Sequence, residues 1–299
     1  MSLVIVGSVA FDTIQTPWGR REKIVGGSGT YCSLAASFFT PPKLVAVVGD
    51  DFPKDVLALF KARKIDTRGL EVRSGKTFHW EGHYGSDPNQ RETIRTELNV
   101  FENFRPRLPE SYRSARMVFL ANIDPDLQDD ILSQVRSPEL VAMDTIKLWI
   151  TTKPAAIWRV LEKVNILIVN DEEIRLMTGE TNLVKGAKRI LASGPRLLVA
   201  KKGEHGALVF ARDFVFSVPG RPSENVVDPT GAGDTFAGGF LGYLDKMGRA
   251  ARADIRRAAV FGSVLASFAI EDFGIERLKT LKKKDIDARY REFRRLVSL

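Results

Sequence analysis

The sequence predicts an α/β fold in three layers, α/β/α, with a small antiparallel sheet standing off the core. Three observations predict it. Short apolar runs alternate with stretches of helical spacing, two segments switch to period two, and one glycine-rich turn opens into a helix.

The chain begins with Met1-Ser2 and the apolar run 3–6. This start lacks the basic residues of a signal peptide and reads as a first strand. Residues 13–16 and 22–25 flank Pro17-Trp18-Gly19, which reads as a hairpin. Tyr31, Leu34, Ala35 and Phe38 then share one helix face. Further buried strands are expected at 44–48, 117–120, 140–143, 166–169 and 197–200. Between them, Ile157, Val160, Leu161 and Val164 share a helix face, as do Leu183, Ala187, Ile190 and Leu191. The run 78–84, Phe-His-Trp-Glu-Gly-His-Tyr, alternates ring and polar residues, with Gly82 interrupting. After a turn at Asp87-Pro88-Asn89, Ile94, Thr96, Leu98 and Val100 alternate with Arg95, Glu97 and Asn99. Period two marks half-exposed antiparallel strands, so the two hairpins are expected to form one accessory sheet. A mostly parallel main sheet would present its ligands at the carboxyl ends of its strands.

Composition narrows the function classes. The 299 residues are 44% hydrophobic and 27% charged, which fits a globular chain rather than a disordered one. One domain over 1–299 is the simplest reading, since no linker, repeat or low-complexity tract interrupts it. The lone cysteine, Cys32, excludes an intrachain disulfide and fits a reducing compartment. No apolar run approaches the roughly 20 residues of a spanning helix. A cytoplasmic location and no membrane partner are therefore expected. The formal charge of +8 is uneven: residues 246–295 hold 14 Lys+Arg against 7 Asp+Glu. That segment is not interleaved with stacking aromatics, so it reads as a solvated helical face and no nucleic-acid partner is expected.

The chemistry concentrates in Asp228-Pro229-Thr230-Gly231-Ala232-Gly233-Asp234. After it, Phe236, Ala237, Phe240, Leu241 and Leu244 take helical spacing, so the turn opens a helix. Small residues let backbone N–H groups converge there, and a helix N-terminus favours anions. Gly231, Ala232 and Gly233 thus suit a phosphate. A carboxylate at Asp234 would repel a resting phosphate but can accept the proton of an attacking hydroxyl. Its N–H neighbours would then stabilise charge on a transferring phosphoryl group.

Asp228-Pro-Thr-Gly-Ala-Gly-Asp234 resembles the C-terminal signature of the ribokinase-like (PfkB) carbohydrate kinase family, commonly Asp-Thr-x-Gly-Ala-Gly-Asp. Pro229 departs at its second position. Gly7-Ser8-Val9-Ala10-Phe11-Asp12 resembles the family's first strand and its substrate-binding aspartate. Gly26-Gly27-Ser28-Gly29 resembles the di-glycine motif. Asn170-Asp171-Glu172-Glu173, followed by Met177-Thr178-Gly179, is similar to the Asn-x-x-Glu motif and the turn after it. Lys201-Lys202-Gly203-Glu204-His205-Gly206 matches the nucleotide-loop region. The matches run through the whole chain in family order.

The resemblance implies a Rossmann-like, ribokinase-like core with a β-sheet lid over the acceptor, formed by about 12–26 and 76–104. It implies ATP, Mg²⁺ and transfer of the γ-phosphoryl group to a hydroxyl of a small sugar-like acceptor. A nucleoside or cyclitol kinase of the same fold is the alternative. Asp234 would be the general base, with Gly231, Ala232 and Gly233 as the anion hole. Asp12, Gly26, Gly27 and Tyr31 would meet the acceptor. Asn170 and Glu173 would organise Mg²⁺ through water, and Lys201 and Gly203 would border the nucleotide. Asp228 and Thr230 match positions that in some members hold a monovalent cation such as K⁺. Lid pairing between protomers would give a homodimer.

Several residues carry two readings. Tyr31 stands where many members have asparagine; it either offers a hydroxyl and a broad apolar face to a ring-bearing acceptor or packs in the core. Phe78, Trp80 and Tyr84 either cover the substrate or pack the lid on itself. His79 and His83 would point away from that face, and with no further His or Cys nearby they are not read as metal ligands. Asp171 and Glu172 fit a helix's first turn, Cys32 fits the core, and Asp144 falls on the ligand edge. A non-catalytic binding protein on this fold is the alternative of another class, but it would have no need of Asp234. A dinucleotide dehydrogenase fails because Gly7-Ser8-Val9-Ala10-Phe11 lacks the glycine spacing.

Overall fold

The computed structural model describes residues 2–297. Met1, expected at the head of the first strand, lies outside the described residues. The strands are β1 (Leu3–Val6), β2 (Ala10–Thr16), β3 (Gly19–Gly26), β4 (Lys43–Gly49), β5 (Asp66–Arg73), β6 (Phe78–Tyr84) and β7 (Arg91–Glu97). They continue with β8 (Met117–Leu120), β9 (Leu140–Met143), β10 (Ile166–Asn170), β11 (Leu197–Lys201), β12 (Ala207–Ala211) and β13 (Val215–Val218). Among the described residues, nine strands form the main sheet in the order β13-β12-β11-β10-β9-β8-β1-β4-β5. Pairing is parallel from β11 to β5 and antiparallel at β12 and β13.

Alternation along β1 explains the three layers. Leu3 and Ile5 enter the apolar core on one face, with Tyr31, Phe240 and Phe268. Val4 and Val6 enter the core on the other face, with Ile157, Ile174 and Ile190. A strand buried on both faces must be apolar at every position, and β1 is.

All six buried strands read from the sequence are present, but β5, β12 and β13 were not anticipated. β5, Asp-Thr-Arg-Gly-Leu-Glu-Val-Arg, sits at the sheet edge and carries the polar pattern that an edge tolerates. The two hairpins join as a four-stranded sheet, β3-β2-β6-β7. β7 ends at Glu97 rather than running on to Val100. Asn99 turns left-handed (φ 50°), and its amide donates to the Thr77 carbonyl. The basic C-terminal stretch is more engaged than a plain solvated face: Arg289 bonds Glu271 and stacks on Phe268, and Lys283 pairs with Asp287. Among the described residues, no helix is long and apolar enough to cross a membrane.

Helix Ser28–Ala36 and helix Ala232–Met247 lie side by side and position the site. Gly238 packs on Cys32 and Gly242 on Ala36. At Gly238 a Cβ would lie 2.3 Å from the Cys32 carbonyl oxygen, so the backbones meet directly. Gly238→Ala would gain about 1 kcal/mol of helix propensity. Overpacking against a backbone costs about 1–3 kcal/mol and should dominate. Denaturant unfolding should show a net loss of stability for Gly238→Ala and little change for Gly85→Ala, where an added Cβ meets nothing within 4 Å.

Candidate functional site

The carboxyl ends of β1, β9, β10 and β11 bring distant residues to one edge of the main sheet. Asp144 follows β9, Asn170 ends β10, and Lys201 ends β11 directly opposite Asn170. β1 runs into Gly7 and Ser8, which hold the di-glycine segment. Ser8 and Ser28 exchange backbone-to-hydroxyl bonds (3.2 and 3.0 Å), and Gly29 donates to the Ser8 carbonyl at 2.8 Å. Gly27 has φ 93° and comes so close to Ser8 that a Cβ would lie 2.6 Å from its carbonyl oxygen.

Asp12 is buried on β2, opposite Trp80 of β6. Gly26 leaves the space it occupies, since a Cβ there would lie 1.8 Å from Asp12 Oδ2. Burial, with repulsion from Asp228 and Asp234, pushes the Asp12 carboxyl up to about 8, against the pull of Arg91 and the Gly27 N–H. Asp12, Gly26 and Gly27 are thus one unit at the mouth of the small sheet.

Gly231 caps helix Ala232–Met247 in the left-handed region (φ 73°), and no side chain caps that helix. Asp234, on its first turn, is therefore not a plain helix cap. It is part-buried, and its carboxylate accepts no hydrogen bond from any described residue. Burial, then Asp144, raise it to about 7, with Lys201 and Arg91 pulling the other way. Gly233 and Asp234 keep first-turn N–H groups that have no partner inside the helix. The Ala232 N–H, expected in the anion hole, instead reaches the Pro229 carbonyl at 3.3 Å.

Lys201 Nζ lies 3.1 Å from where a Gly233 Cβ would stand, so the lysine reaches the glycine turn. Asp144 Oδ2 holds it at 3.2 Å, and Asp144 Oδ1 accepts the Thr145 N–H. Burial disfavours the Lys201 ammonium, but Asp144, Glu173 and Asp234 outweigh that and raise its pKa. Asn170 and Glu173 form a reciprocal cap: the Asn170 N–H donates to Glu173 Oε2 (2.8 Å) and the Glu173 N–H to Asn170 Oδ1 (2.7 Å). Asp171 pairs with Arg175. Burial and Asp144 raise Glu173 to about 7. The cap leaves Glu173 Oε1 free among the described residues, and this is the atom that fits a water-mediated Mg²⁺.

Of the residues with two readings, Tyr31 and Phe78 follow the packing one. The Tyr31 ring cannot offer a face to an acceptor, because it is buried beneath the glycine turn; a Gly231 Cβ would lie 2.4 Å from its ring carbons. Only its hydroxyl, buried without a hydrogen-bond partner, faces the site's carboxylates. Phe78 does not cover a substrate but stacks on Phe101 (5.5 Å between centroids). Trp80 and Tyr84 do turn inward, packing with Ile14 and Phe273. His79 bonds Thr13 and Glu97. Cys32 is buried, and its thiol is pushed well up by that burial.

Asp228 accepts the Thr230 N–H (2.8 Å) on one oxygen and the Gly274 N–H (2.9 Å) on the other. The Thr230 hydroxyl donates to Tyr84 (3.1 Å). These residues brace the turn and join it to the small sheet. Gly203 (φ 54°) lies under the β6–β7 hairpin tip, where a Cβ would be 1.9 Å from Asn89 Oδ1. Sequence reasoning missed Asn89 and Arg91; only their place beside the Asp87-Pro88-Asn89 turn could have drawn attention to them.

Comparison with known proteins agrees with this fold. The profile of the pfkB family carbohydrate kinases matches residues 2–280. A cytidine kinase of Thermococcus kodakarensis is 32% identical over 252 residues, covering 81% of this chain and 88% of that protein. The solved nucleoside kinase of Methanocaldococcus jannaschii superposes with a TM-score of 0.77 at 19% identity, over 97% of this chain and 98% of that one. The Burkholderia thailandensis nucleoside kinase, solved with ADP and inosine, gives a TM-score of 0.78 at 18% identity, covering 97% and 95%.

Asp12, Glu173 and Asp234 all bind a proton more tightly folded than unfolded. For Asp12 the folded chain therefore holds more protons between its ordinary 3.8 and about 8, and stability falls as pH rises through that window. Asp12→Asn should raise the calorimetric unfolding midpoint at pH 8, and raise it less at pH 5.

Proposed function

Because the chain belongs to the pfkB carbohydrate kinase family and is a phosphotransferase acting on a hydroxyl, we propose that it phosphorylates a nucleoside from ATP with Asp234 as general base. The observation that carries the mechanism is the Asp234 carboxylate, part-buried and without a hydrogen-bond donor beside the left-handed Gly231 turn. A carboxylate already satisfied by its own helix could not take a proton so readily.

The acceptor hydroxyl would lie between Asp12 and Asp234. Asp234 takes its proton as the oxygen attacks the γ-phosphorus in line. Charge gathering on the phosphoryl oxygens meets the first-turn N–H groups and Lys201. Mg²⁺, held by the nucleotide's phosphates and through water by Glu173 Oε1, would neutralise part of the phosphate charge. Lys201 held by Asp144, and Gly203 beneath the hairpin tip, would border the nucleotide. The small sheet would act as the lid, closing over the acceptor and excluding water.

Nucleoside is preferred over simple sugar on two grounds. The relatives similar over most of the chain are named cytidine and nucleoside kinases. In this chain the inward aromatic of the small sheet, Trp80, stands opposite Asp12 and could meet a base while Asp12 meets the ribose hydroxyls.

An ATP-consumption panel should show higher kcat/KM for nucleosides than for ribose or fructose; the reverse order would return the assignment to a sugar. Asp234→Asn should lower kcat about 100- to 10,000-fold with its thermal midpoint kept. In the wild type, log(kcat/KM) should rise with pH and level off near pH 7, because the base must be ionised to act.

A further inference from the structure

The segment between helix Arg252–Ala269 and helix Glu276–Thr280 meets the glycine turn directly. The Val227 N–H donates to the Ile270 carbonyl at 2.9 Å, and the Asp228 N–H reaches the same oxygen at 3.4 Å. The Gly274 N–H donates to Asp228 Oδ2. Between these anchors, Phe273 packs against Ile14 and Tyr84 of the small sheet. The Thr16 hydroxyl, at the end of β2, donates to the Val227 carbonyl at 2.9 Å. Segment 270–274 therefore holds the entry to the glycine turn and supports the small sheet at once.

The same segment is gripped by the C-terminal helix, Lys283–Val297. Glu271 accepts Arg289 Nη2 at 2.6 Å on Oε1 and Arg277 Nε at 2.9 Å on Oε2. Arg289 also donates from Nη1 to the Ser267 hydroxyl at 3.2 Å and lies over the Phe268 ring, 3.3 Å from its centroid. Ile286, Arg289 and Phe293 follow helical spacing on one face, and Ile286 and Phe293 are fully buried. An arginine thus stands at a core position of that helix, with its side chain only 13% exposed. An apolar residue there would be buried at a lower desolvation cost. It would not fix Glu271 by a directional, charge-assisted hydrogen bond.

We propose that Arg289 is a positioning residue for phosphoryl transfer. Through Glu271 it fixes segment 270–274, and through Gly274 and Asp228 that segment fixes the turn that presents Asp234. The links run from Arg289 to Glu271, from Gly274 to Asp228, and from Asp228 to the Thr230 N–H beside Gly231. Arg289 acts through these contacts and not on the nucleotide or the acceptor. The inference rests on the kinase reading above, but not on which acceptor is used.

The test compares Arg289→Met, Arg289→Lys, Glu271→Gln and Lys283→Met in the full-length chain. Arg289→Met keeps an unbranched stem over Phe268 and removes the guanidinium. Lys283→Met weakens the same helix elsewhere, because Lys283 pairs with Asp287 and lies over Phe39 and Phe261. Arg289→Met should lower kcat about 10- to 100-fold well below its unfolding midpoint, with both KM values changed only a few-fold. Arg289→Lys should recover part of that loss, since it keeps the charge without the fork. Lys283→Met should keep wild-type kcat whatever it does to the midpoint. Glu271→Gln should lower kcat as well, and should add little when combined with Arg289→Met, because both break one link. The amides of Asp228, Thr230 and Gly274 should exchange hydrogen faster in Arg289→Met than in Lys283→Met, with no substrate present. Wild-type kcat in Arg289→Met, equal kcat losses in Arg289→Met and Lys283→Met, or unchanged exchange at those amides would overturn the proposal. A wild-type chain inactive on every acceptor would remove the kinase reading, while the exchange comparison would still decide the coupling.

Discussion

The site depends on how closely two helices approach. Helix Ser28–Ala36 and helix Ala232–Met247 touch through Gly238 on Cys32 and Gly242 on Ala36, with backbone meeting backbone. This contact sets the glycine turn on the Tyr31 ring and places Asp234 across the cleft from Asp12. Gly231 must be left-handed to start the helix there, and it must lack a side chain because Tyr31 fills the space. A single side chain in that seam would move Asp234 relative to Asp12. Displacements of about 1 Å can cost about 100-fold in rate.

The second constraint is electrostatic. The sheet edge gathers carboxylates where the proposed mechanism would seat an anionic nucleotide, and burial pushes Asp12, Glu173 and Asp234 upward. Such crowding costs stability at neutral pH, and in the proposed mechanism Mg²⁺ and the acceptor's hydroxyls would relieve it. Burial, with Asp144 beside it, brings Asp234 to about 7, where a carboxylate is a stronger base than in water yet still ionises. Lys201, held by Asp144, and Arg91, held over Trp80, oppose the repulsion from two sides.

Much of this was legible in the sequence. Six apolar runs became parallel strands because a strand buried on both faces has no choice but to be apolar. The glycine-rich turn, Asp12 and the Asn170-to-Glu173 motif were legible because their chemistry is local and ordered. The edge strand β5 was not, since polar residues suit an edge and a loop alike. Nor was the place of Arg91, which is set by Tyr84 and Trp80 on the neighbouring strand. Tyr31 was read as either core or ligand, and only packing against Gly231 shows that its ring is core while its hydroxyl borders the site.

In the proposed mechanism an acceptor hydroxyl is held by Asp234 in line with a phosphate seated on the glycine turn. The most direct measurement is a crystal structure with a nucleoside and a non-hydrolysable ATP analogue bound together. The reacting hydroxyl is expected within hydrogen-bond distance of the Asp234 carboxylate, and the γ-phosphate against the Gly233 and Asp234 N–H groups. A hydroxyl bound to another base, or a γ-phosphate turned away from that helix N-terminus, would contradict it.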